Sequence, residues 1–91
     1  MVTNGDVQLG QLVISKAGRD KEKAYLIAKI LDESFVAVVD GSLRKLTQPK
    51  RKNIKHLQVT NKVASEIREK LLAGARLEDE QVRQVIQELL R

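Results

Sequence analysis

Apolar and polar positions along this chain change their period once, near Thr60. Before that point, short apolar runs alternate with turn residues. Asn4-Gly5 and Gly10 punctuate a short polar start. Leu12-Val13-Ile14 reads as a buried strand that closes near Lys16. Ala17-Gly18-Arg19-Asp20-Lys21 makes a turn, where Gly18 can take the positive φ of a tight connection. The second strand is predicted over Ala24 to Asp32. It carries Tyr25, Ile27 and Leu31 on one side and Leu26, Ala28 and Ile30 on the other. Both faces are largely apolar, so part of this strand should be covered twice. Glu33-Ser34 turns into Phe35-Val-Ala-Val-Val39, a third strand rich in β-branched residues. Asp40-Gly41 is a hairpin signal. Leu43 to Leu46 is expected to return as a fourth strand, Pro49 breaks the pattern, and Ile54 to Val59 offers a fifth.

After Thr60 the spacing is helical. Val63, Ile67 and Leu71 recur on one face, Asn61 is the expected N-cap and Gly74 the expected stop. A second helix opens with Glu78, Asp79 and Glu80, where the helix dipole favours anions, and buries Val82, Val85, Ile86 and Leu89. Either helix alone is too short to be stable in water, so both need packing. The fold class is therefore mainly β with an α appendage. A small closed five-stranded barrel is expected over 1–59 and a two-helix extension over 60–91. The other arrangement the pattern allows is an open antiparallel sheet covered by the helices.

Composition narrows the chemistry. At 91 residues one domain with an appendage is expected. There is no cysteine, which excludes disulfides and thiolate metal sites, and His56 is the sole histidine. No metal or cofactor is expected. No stretch has the length of a bilayer span, and residues 1–10 lack the regions of a signal peptide, so the expectation is a cytoplasmic protein without a membrane partner. No Gly-rich phosphate loop joins a strand to a helix, and no acid–base constellation is present. Catalysis and a small-molecule substrate are therefore not expected.

Charge is distributed unevenly. Residues 1–59 hold eleven Lys and Arg against six Asp and Glu, and residues 60–91 hold six of each. The stretch 44–56 contains Arg44, Lys45, Lys50, Arg51, Lys52 and Lys55 with no acidic residue, and it ends at His56. Such a block fits a polyanion. Arg19, Lys21 and Lys23 near the first turn are a second candidate contact, equally readable as a solvated turn. Tyr25 and Phe35, the only aromatics, sit in apolar strands and read as core. That leaves recognition of backbone and shape rather than stacked bases. Reversing Lys50, Arg51 and Lys52 to glutamate is expected to abolish binding of that polyanion with the fold intact.

The run from Gly10 to Ile30, with Gly10, Val13, Gly18, Lys21 and Lys23 at the pattern positions, resembles a KOW motif. The continuation from Phe35 to Lys45, then from Gln48 to Leu57, resembles a bacterial KOW-domain RNA-binding protein. That family is similar to the large-subunit ribosomal protein numbered fourteen in archaea and eukaryotes. The resemblance implies an SH3-like barrel that binds RNA, in particular ribosomal RNA, with ribosomal proteins as further neighbours. It also leaves open a KOW-type protein-interaction module in transcription or translation. Glu22 departs from the small or neutral residue often found in the turn.

Overall fold

The computed structural model describes residues 7–91, so the Asn4-Gly5 turn signal lies outside the described residues. Five antiparallel strands form one sheet: β1 (Gln11–Ser15), β2 (Ala24–Ile30), β3 (Phe35–Val39), β4 (Lys50–Asn53) and β5 (Leu57–Val63). Their order across the sheet is β4-β3-β2-β1-β5. Two helices follow, α1 (Ser65–Ala73) and α2 (Asp79–Leu89). No helix among the described residues is long and apolar enough to cross a membrane.

The doubly apolar second strand is explained by two cores, one on each face. On the concave face Val13, Tyr25, Ile27, Val36 and Val38 close with Val7, Ile54 and Leu57 into one cluster, which gives the sheet its barrel-like curl. On the convex face Leu12, Leu26 and Val39 meet Ala64 and Ile67 before and in α1 and Val82 and Ile86 of α2. The helices thus share their apolar stripes with the sheet.

Alternation along β2 fails at one place. Ile27 pairs with Val38, but the next pair is Lys29 with Ala37, so Ala28 is an extra residue on the β2 side. This bulge shifts the face of everything beyond it. Ile30 therefore packs against the concave cluster with Ile27, and Leu31, expected there by strict alternation, is exposed.

Three boundaries differ from expectation. The segment 42–46 returns as a loop rather than a strand, because Asp40 takes its backbone donors: Oδ1 accepts from the amides of Ser42 and Arg44, each at 2.8 Å. The returning strand is instead Lys-Arg-Lys-Asn, 50–53, whose charge disguised it as a loop. Ile54–His56 is a single 3-10 turn, after which β5 runs on to Val63. Asn61 therefore lies inside β5, and Ala64 is the N-cap of α1 with no side-chain bond. Gly74 ends α1 in the left-handed conformation, as its sequence position predicts. Glu78 opens α2 through a reciprocal capping box with Gln81.

Candidate nucleic-acid interface

The β1–β2 connection leaves the sheet at Ser15 and returns at Lys23, whose carbonyl accepts from the Ser15 amide at 2.9 Å. Gly18 turns at φ +85°, and Glu22 takes φ +73°, a left-handed conformation in which a side chain is unfavourable. The loop so formed folds Asp20 back over the end of the concave core, where it is 7% exposed.

Four side chains meet that carboxylate. Oδ1 accepts from the Ser15 hydroxyl at 2.9 Å and from Lys52 Nζ at 3.0 Å. Oδ2 accepts from the Tyr25 hydroxyl at 2.8 Å and from Lys50 Nζ at 3.1 Å. Lys52 Nζ also donates to Ser15 Oγ at 3.0 Å. Burial works to raise the Asp20 pKa. The bonds from Lys52, Tyr25, Ser15 and Lys50 outweigh it and hold the carboxyl well below the ordinary 3.8. Burial, followed by the bond and charge of Asp20, pushes the Tyr25 hydroxyl above its ordinary 10.0. An ionised carboxylate with both oxygens occupied is an anchor and not a proton acceptor.

This network separates the cations that sequence placed together. Lys50 and Lys52 alternate with Arg51 along β4, so the two lysines turn inward and Arg51 turns outward. The Lys52 side chain is only 9% exposed and is consumed by Asp20 and Ser15, whereas Lys50 keeps 31% of its side chain exposed. Reversing Lys52 to glutamate would set a second carboxylate against Asp20. The triple reversal of Lys50, Arg51 and Lys52 therefore cannot leave the fold intact. Arg51 lays its guanidinium 3.6 Å from the centroid of the Phe35 ring. Phe35 is half-buried and serves as a platform for that cation.

Beside the Asp20 network lies an open cleft of about 390 Å³, lined by Arg19, Asp20, Lys23, Tyr25, Leu43, Arg44 and Lys50. Arg19 and Lys23 come from the β1–β2 loop, Arg44 from the β3–β4 loop and Lys50 from the start of β4. The β3–β4 loop is held from below by α2. The Gly41 carbonyl accepts from Arg83, and the Leu46 amide donates to Asp79 Oδ1 at 2.8 Å. Gly41 has φ +78°, and a Cβ there would stand 2.3 Å from the Asp79 carbonyl oxygen. Only glycine allows the loop to seat on the helix so closely.

The remaining candidates lie outside this lining. Lys21 and Lys45 are exposed. Lys55 lines a second depression of about 480 Å³ with Lys16, Glu33, Ser34, Asn53, Ile54 and Leu57. His56 is exposed, and its carbonyl accepts from the Lys16 amide at 2.8 Å. Sequence reasoning missed Asp20, whose signal was the period-two pair Lys50 and Lys52 facing Tyr25, and it missed Leu43 at the lip of the cleft.

Two guanidinium groups and two ammonium groups around one cleft can hold phosphate by charge-assisted hydrogen bonds. Comparison with known proteins finds partial similarity to large ribosomal subunit proteins. Over 56 residues the chain is 34% identical to the large ribosomal subunit protein eL14 of Methanococcus maripaludis, covering 62% of this chain and 66% of that relative. It is 36% identical over 58 residues to the eL14 of Desulfurococcus amylolyticus, covering 62% of this chain and 58% of the relative. A stretch of 57 residues is 28% identical to the eL14 of Staphylothermus marinus. The chain thus spans just under two thirds of the length of the Methanococcus relatives it matches. No protein-family profile matches it.

Proposed function

We propose that this chain is a non-catalytic, KOW-type RNA-binding protein that joins or assists the large ribosomal subunit in the cytoplasm, with ribosomal RNA as its main partner and ribosomal proteins as neighbours. The observation that carries this reading is the convergence of Arg19, Lys23, Arg44 and Lys50 from separate segments on one cleft. Loops held this firmly lose little backbone freedom when a phosphate arrives, so the points from which the cations extend are already in place. Similarity to proteins named as large-subunit components supports the ribosomal setting. Lys21, Lys45, Arg51, Lys55 and His56 would add contacts around the cleft, and Lys52 acts through the fold.

The test is binding to deproteinised large-subunit ribosomal RNA at several salt concentrations. Four phosphate contacts give a slope of log K against log salt of about −3.6 on a duplex and about −2.8 on a single strand. Arg19 and Arg44 are exposed, so the double variant Arg19→Glu with Arg44→Glu should fold normally. Its slope should be shallower by about 1.4 to 1.8, with much weaker binding. Unchanged affinity and slope in the folded variant would reject the cleft as the interface.

A further inference from the structure

The cationic cleft has one member that a pure phosphate site does not need. Leu43 lines it between the Asp40 turn and Arg44, and at 73% it is the most exposed of the four large apolar side chains on the surface among the described residues. A single exposed leucine is ordinary in itself. This one is held out by its surroundings. Asp40 Oδ1 fixes the amides of Ser42 and Arg44 on either side of it, and the Arg44 carbonyl accepts from the Asp40 and Gly41 amides at 2.9 and 3.1 Å. Gly41 and Leu46 pin the two ends of the loop to α2. Three residues on, Leu46 turns into the convex core, so the same loop buries one leucine and presents the other.

Resting on the RNA-binding reading above, the geometry points to Leu43 as a specificity-determining contact, an apolar wedge against the exposed base of a nucleotide whose neighbouring phosphates are held by Arg19, Lys23, Arg44 and Lys50. Phosphate-binding cations alone accept any polyanion, since charge carries no information about what lies between the phosphates. An apolar side chain fixed among them adds a surface for an unstacked base, a group that inorganic and sulfated polyanions lack. Inserted leucines serve this way where proteins contact unstacked base steps. The wedge therefore selects an unpaired or bulged nucleotide over a fully paired stem.

Leu43→Ala separates the apolar term from the charge term, because it touches neither the core nor any hydrogen bond of the loop's backbone. The full chain and this variant would be titrated with a hairpin RNA carrying a bulged nucleotide, with the same hairpin fully paired, and with heparin. The expected result is a roughly five- to tenfold loss of affinity for the bulged hairpin. The salt slope should stay unchanged, as should the affinity for heparin. Equal losses on all three ligands, or no loss on the bulged hairpin, would overturn the wedge while leaving the RNA-binding reading in place. Failure of the unaltered chain to bind either hairpin would overturn both.

Discussion

Asp20 carries four donors on one carboxylate, and its neighbours share the consequences unequally. Lys52 is enclosed, so Lys52→Ala leaves a buried carboxylate short of its main counter-charge and should cost about 3–5 kcal/mol. Lys50 is a third exposed and partly solvated, so Lys50→Ala should cost about 1 kcal/mol or less. Urea denaturation of the two variants measures the difference, and equal small losses would show that the network does not anchor the loop. The same carboxylate sets an acid limit. Its pKa is depressed in the folded chain, so the stability it supplies is complete above the unfolded value near 3.8 and drains away as pH falls through the folded one. Tyr25 behaves in the opposite sense. Its pKa is raised, so its contribution is intact below 10.0 and is lost at higher pH. Thermal unfolding across pH should therefore show a plateau bounded by losses below about pH 4 and above about pH 10. Asp20→Asn should flatten the acid limb.

At the scale of elements, the contact that matters most to the cleft is the seat of the β3–β4 loop on α2. Gly41→Ala forces a methyl group to within 2.3 Å of the Asp79 carbonyl oxygen in a left-handed backbone. The expected loss is about 2–4 kcal/mol, together with weaker RNA binding as Arg44 and Leu43 lose their fixed position. A change below about 0.5 kcal/mol would show that the loop is not seated there. Much of this layout was legible from sequence. Leu12-Val13-Ile14, the two-faced β2 and the β-branched run at 35–39 all declared themselves through apolar pattern, and so did the stripe of α2. The misses have two causes, polar side chains that take backbone partners and a bulge that shifts the alternation. Asp40 captured the amides that a strand at 43–46 would have used, and the bulge at Ala28 exchanged Ile30 for Leu31 on the inner face. β4 has no apolar residue at all, so nothing in hydropathy could announce it. Of the candidate site, the cations were legible as a group, but their division between cleft, core and platform depended on contacts across some thirty residues of chain.

For the whole molecule, the two cores decide what can fold alone. Leu12, Leu26 and Val39 are at most 2% exposed, and the cover on their side comes from the segment after β5. A chain ending at Val63 would bare that face, so it should lose cooperative thermal unfolding and tend to aggregate. A well-dispersed amide spectrum from the shortened chain would contradict this. Asp20 has a further consequence for how this chain finds one structure. Strand register is normally fixed by which apolar side chains must leave water, and β4 has none. A slip by one residue would send Arg51 inward and strand both lysines on the outside, leaving the buried anion with one cation in place of two. The spacing Lys-x-Lys opposite a single aspartate thus works as a lock with one fitting key, so that an edge strand without a hydrophobic address still docks in one alignment only.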